Sequence, residues 1–176
     1  MIRRALFLFA AALAAAPAVS YSDIRNLEKA FDRRISSHNL EQPMDLIGFT
    51  RGAYLPDYGV VFTAEVNLLL SAGASPFRPQ VPAEEKARLR QRKLARVPEM
   101  KRLMRDMMVS TATTLKTLPM ERRIAVGVSF FYHPFEDTQG LPKHLLMEAP
   151  RKTLVDFEAG RLTAAQLDAA LTVQEN

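Results

Sequence analysis

Arg123-Ile124-Ala125-Val126-Gly127-Val128-Ser129-Phe130-Phe131-Tyr132 is the stretch on which the fold of this chain turns. Ile124, Val126, Val128, Phe130 and Tyr132 alternate with Arg123, Ala125, Gly127 and Ser129. A period of two sends the bulky set to one face of a β-strand and the small or polar set to the other. The stretch therefore predicts a strand buried on one side only. His144 to Ala149 predicts a shorter partner for it.

An earlier region carries the same period. Leu46 to Ala53 and Val60 to Leu70 predict strands around Leu55-Pro56-Asp57-Tyr58-Gly59, a turn with proline and glycine where turns want them. Helical spacing fills the rest. Ile24, Leu27, Phe31 and Ile35 recur at three and four residues behind Ser22, a possible cap, so the helix buries one face and ends near His38-Asn39. Ser71 to Pro82 holds three prolines and no period, and predicts a surface connection.

Ala83 to Leu118 is the longest helical stretch, and Pro98 predicts a division into a basic helix ending at Arg96 and a second helix from Pro98. In the second, Val97, Met100, Met104, Met107, Thr111 and Leu115 form one stripe, flanked by Leu103 and Met108, that reads as core. Two short helices follow Pro150, the later one announced by the capping-box pattern Thr163-Ala164-Ala165-Gln166. The expected fold is α+β: a four-stranded antiparallel sheet of two hairpins, with helices mainly on one face. Its element order is similar to that of roadblock and longin domains.

The start of the chain reads as an export signal. Arg3 and Arg4 precede an apolar run of 12 residues, Ala5 to Ala16, and Ala16-Pro17-Ala18 is a small-x-small cleavage site. That run is shorter than the roughly 20 residues of a membrane span. Residues 1–18 are thus expected to leave a single domain over 19–176, periplasmic or secreted, that begins near Val19. The chain has no cysteine, so its stability must come from packing. Without the signal it carries 22 basic and 19 acidic residues, a balance too even to imply nucleic acid.

The face opposite the bulky strand residues is the first functional candidate. If Ala53 pairs with Val60 and Phe49 with Ala64, then Ile47, Phe49, Arg51, Val60, Phe62, Val66 and Leu68 share one face. Gly48, Thr50, Gly52, Thr63, Glu65 and Asn67 share the other, beside Gly127 and Ser129 of the second hairpin. Glycines within strands often mark a close approach by something else. This face is either solvated or meets a partner chain, a ligand or the chain's own C-terminal helices.

Two further constellations carry potential chemistry. His133, Glu136, Asp137 and His144 gather imidazoles and carboxylates on one connection and could ligate a divalent ion for hydrolysis, although their spacing matches no metal signature. Lys86 to Arg105 holds nine basic residues, among them Arg88, Arg92, Lys93 and Arg96, which could meet an anionic membrane surface. Glu84 and Glu85 can instead pair with that helix at helical spacing. No nucleophile elbow and no glycine-rich phosphate loop is present in the sequence.

Thr50-Arg51-Gly52-Ala53-Tyr54-Leu55 followed by Tyr58-Gly59-Val60-Val61-Phe62-Thr63-Ala64-Glu65-Val66 resembles a stretch in a family of uncharacterised exported bacterial proteins. The resemblance continues through Ser75-Pro76-Phe77-Arg78 and Ala149-Pro150-Arg151-Lys152, and implies export but no activity. The sequence thus points to a non-catalytic binding or interaction module of the cell envelope. A metal-assisted hydrolase and a membrane-surface protein are the alternatives. The expected partner is a protein, a small ligand or a second copy of the chain, with no nucleic acid, no membrane span and no cofactor.

Overall fold

The computed structural model describes residues 19–70 and 81–176, so the expected export signal and most of the proline-containing connection lie outside the described residues. Helix α1 runs Tyr21–Ser37 and is capped by Ser20, whose hydroxyl accepts the Asp23 N–H at 3.1 Å. The cap falls two residues before Ser22. Ile24, Leu27, Phe31 and Ile35 are buried, as their spacing predicts.

Strands β1 (Asp45–Leu46), β2 (Arg51–Leu55) and β3 (Gly59–Asn67) lead to helix α2, Ala83–Thr114. Strands β4 (Arg123–Phe130) and β5 (His144–Pro150), helices α3 (Arg151–Glu158) and α4 (Ala164–Ala170), and strand β6 (Thr172–Glu175) complete the chain. The capping box expected at Thr163 is formed with Gln166. The architecture is α+β, with one mostly antiparallel sheet.

That sheet has six strands rather than four, in the order β1-β3-β4-β5-β6 with β2 also on β3. Both expected hairpins are present, but β3 and β4 pair in parallel across the centre. Parallel neighbours need a long crossover, and the connection through α2 supplies it. The strand expected over Leu46 to Ala53 is interrupted where Gly48 takes φ +80, and residues 47–50 oppose only Ala64 and Glu65.

The first hairpin's register is one residue away from the expected one. Tyr54 pairs with Val60, Gly52 with Phe62 and Arg51 with Thr63. Since a slip of one exchanges faces, Gly52 lies on the core side, while Arg51 and Phe49 are exposed. Gly52 has a steric reason for its identity: a Cβ there would sit 2.6 Å from a Phe62 ring carbon and 2.7 Å from Ile24 Cγ2.

Pro98 does not divide α2. It is exposed, as is Leu94, whose carbonyl loses its usual donor, so water can serve the freed group. Meanwhile Lys93, Arg96 and Val97 are buried just before Pro98, and the rest of the expected stripe, including Met100, Met104, Met107 and Leu115, is buried beyond it. Together these apolar side chains, at about 1.5–3 kcal/mol each, outweigh a proline defect of about 3 kcal/mol. They pack on Val60, Phe62, Val66, Ile124, Val126 and Val128, with Phe31 and Phe62 rings 4.7 Å apart. Leu154 of α3 and Leu167 of α4 join the same core, so all four described helices serve one face of the sheet.

Candidate functional site

The other face is built by the odd-numbered residues of β3 and β4 and the even-numbered residues of β5. In register, Thr63 lies beside Gly127 and Gly127 beside Leu146; in the next row, Glu65 lies beside Ser129 and Ser129 beside His144. Thr63 and Glu65 are exposed. Thr63 Cγ2 and Leu146 Cδ1 come within 3.7 and 3.8 Å of where a Gly127 Cβ would stand, so the two side chains lean together over the glycine. The middle of the face is therefore small and shallow.

Its two ends are polar. At one, Arg123 pairs with Glu148 at 3.0 Å, and the Tyr58 hydroxyl donates to the same carboxylate. Burial, then the bond to Glu148 and its charge, pushes the Tyr58 phenol up to about 12, while that hydrogen bond and Arg123 hold Glu148 below the usual carboxylate value. At the other end, Ser129 Oγ lies 3.2 Å from His144 Nδ1. An open depression of about 470 Å³ adjoins that pair, lined by Glu65, Phe131, His133, Lys143 and His144 among others.

The structure gathers half of the residues expected on this face. Thr63, Glu65, Gly127 and Ser129 meet there, whereas Gly48, Thr50, Gly52 and Asn67 do not. The one-residue register difference accounts for Gly52 and the break at Gly48 for Gly48 itself. Thr50 is buried just before β2 and gives its N–H to Asp32 at 2.8 Å. Asn67 is buried at the end of β3, where its side-chain oxygen accepts from Lys93 Nζ at 2.8 Å. The Ser129–His144 pair was missed because nothing in the sequence fixed which hairpin residues stand opposite each other.

Of the imidazole and carboxylate constellation, His133, Glu136 and His144 line that same depression, and the His133 N–H donates to Glu136 Oε1 at 3.3 Å, whereas Asp137 is not part of its lining. Glu136 forms a 2.6 Å ion pair with Lys93, both side chains buried, and the Lys93 ammonium also stands 5.1 Å from the centre of the Tyr132 ring. Burial lowers the Lys93 pKa, and Glu136 opposes that shift. Burial first, and then the Glu136 charge, raises the Tyr132 phenol. Asp137 pairs with Arg90 at 3.2 Å, and His133 stacks on Phe135 with Phe131 at its edge. Among the described residues no three of His, Cys, Asp and Glu come together to hold a metal ion.

The basic helix also turns partly inward. Lys93 and Arg96 are buried, and Arg96 donates to the Gln42 carbonyl at 2.8 Å and pairs with Glu99 at 3.3 Å. Arg92 reaches Gln42 Oε1 at 3.4 Å, and Arg88 pairs with Glu84 one turn away. No described helix is long and apolar enough to cross a membrane.

No protein family, curated protein or solved structure matches this chain.

Proposed function

We propose that the protein is an exported component of the bacterial cell envelope that acts as a non-catalytic interaction module, with the helix-free face of its sheet receiving a partner protein. One observation carries the reading: all four described helices bury their apolar residues on one side of the sheet, while the side bearing Thr63, Glu65, Gly127 and Ser129 is mostly small and polar, with Val61 and Leu146 as its larger apolar members. A flat surface with a shallow centre suits another protein better than a small molecule, which is held in an enclosed pocket. The Arg123–Glu148 pair and the Ser129–His144 pair would rim such an interface with polar groups.

The carboxylates of the hydrolase alternative, Glu136 and Asp137, are already engaged by Lys93 and Arg90, and two of the four basic residues named for membrane contact are buried. Neither arrangement favours those readings. The order of elements similar to roadblock and longin domains concerns architecture, and adds no activity.

Thr63→Arg and Ser129→Arg test the reading. A long charged side chain is tolerated on a solvated face and expelled from a packed interface. Each variant should keep the wild-type melting temperature, and at least one should lose an association that the wild-type protein shows by sedimentation, alone or with its envelope partner. Unfolding of both variants would mean that the chain itself covers the face, and would overturn the proposal.

A further inference from the structure

The two outer strands of the sheet are treated differently. At β2, the outward N–H groups of Gly52 and of Thr50, just before the strand, are taken by Glu28 and Asp32 of α1, each at 2.8 Å. On β6, the last strand in the sheet order, no described strand pairs with the outer edge. His144 and Asn176 exchange both backbone hydrogen bonds, at 3.1 Å each. Bonded pairs alternate along an antiparallel ladder, so Thr172 and Gln174 bond inward to β5, while the N–H and C=O of Val173 and Glu175 point away from the sheet. Such an edge is a template for another backbone.

Beside that edge lies a slot of about 510 Å³ between α2, α4 and β6. Pro98, Met147, Leu171 and Val173 give it apolar walls, and Lys101, Arg102 and Arg105 stand on the α2 side. Lys101 pairs with Glu175 at 2.5 Å and Arg105 with Asp168 at 3.1 Å. Arg102 is exposed and forms no ion pair among the described residues. Val173 stands opposite Met147, and both line the slot, so the side of β6 facing α2 is the side on which an added strand would find apolar contact and a free cation.

We propose that the β6 edge and this slot bind an extended segment of a partner protein, which adds a strand to β6, seats an apolar side chain between Pro98, Leu171 and Val173, and brings an acidic one to Arg102. Only a peptide backbone offers donors and acceptors at strand spacing, which argues for a peptide over a lipid or a metabolite. The acidic residue follows from the charge of Arg102. This surface lies on the edge and helix side of the sheet, so Thr63→Arg leaves it intact and the two proposals fail separately.

The probe is a fluorescein-labelled peptide alternating threonine with valine, glutamate and valine, followed by fluorescence anisotropy. Controls carry lysine in place of glutamate, or N-methyl groups on every second residue in either phase. Wild-type protein should bind the glutamate peptide and lose one of the two methylated phases. Arg102→Glu should weaken binding by at least about tenfold and reverse the preference toward the lysine peptide. Val173→Pro, which removes an outward donor and spares the inward bonds, should weaken binding comparably; if that variant unfolds, the Arg102→Glu charge swap still decides. No binding by wild-type protein at millimolar peptide, or equal binding of both methylated copies, would overturn the proposal. So would a wild-type dimer in sedimentation that Arg102→Glu or Val173→Pro dissociates, which would give the edge to a second copy of the chain.

Discussion

Glu28 accepts the backbone N–H of Gly52 at 2.8 Å, and through that bond a helix covers the edge of a sheet. One turn on, Asp32 does the same for Thr50. The match is geometric: four helical residues rise about 6.0 Å, and two strand residues about 6.6–6.8 Å. Carboxylates at i and i+4 therefore meet donors at j and j−2. Glu28→Ala should cost about 1–3 kcal/mol in urea unfolding, because it strands a part-buried N–H. Amide exchange at Gly52 should accelerate more than at core strand positions such as Val126, and unchanged exchange at Gly52 would refute the clamp.

Lys93 and Glu136 make the second prediction. Removing one member of a buried pair leaves an unpaired charge, so Lys93→Met or Glu136→Leu alone should cost about 3–5 kcal/mol. The double variant should recover much of that loss. A double-mutant cycle in denaturant measures it, and simple additivity of the two losses would show that the pair is not coupled.

Tyr58 and Glu148 each make stability depend on pH. The folded phenol is raised from 10.0 to about 12, so its contribution is complete below pH 10 and lost as pH rises through about 12. The folded Glu148 carboxyl is lowered from 4.5, so its contribution is present above that value and lost as pH falls through the folded pKa. Thermal melts across pH should show both limbs. Tyr58→Phe should remove the alkaline limb linked to this phenol, and an unchanged alkaline limb would contradict the assignment.

Met104 and Val126 face each other's layers across the core, and both are buried. Met104→Asp or Val126→Asp should unfold the domain, since an unpaired buried charge costs several kcal/mol against a total of about 5–15. Circular dichroism decides it, and a folded Val126→Asp protein of undiminished stability would overturn the layer assignment.

Periodicity carried most of what the sequence made legible. The α1 face and the methionine stripe of α2 were readable because burial repeats every three or four residues, and β4 because it alternates strictly. Pairing was less readable. A register shift of one in the first hairpin moved Gly52 to the core and Arg51 outward, and no local signal separates Ala53–Val60 from Tyr54–Val60 pairing. Proline propensity at Pro98 yielded to tertiary burial on both sides of it. Short β6 has too few residues to show a period. Lys93 and Glu136 are 43 residues apart, and only the tertiary fold reveals that both turn inward.

On the proposed function, the face carrying Thr63, Gly127 and Ser129 meets a partner protein. The most direct test of that contact is a photo-crosslinking amino acid placed at position 63 in cells that export the protein, with the same substitution at exposed Lys29 on α1 as the control. A discrete protein adduct should form from position 63, be missing from position 29 and be abolished by Ser129→Arg in the same chain. Adducts of equal yield from both positions, or none from position 63 while the protein remains folded and exported, would contradict the proposed function.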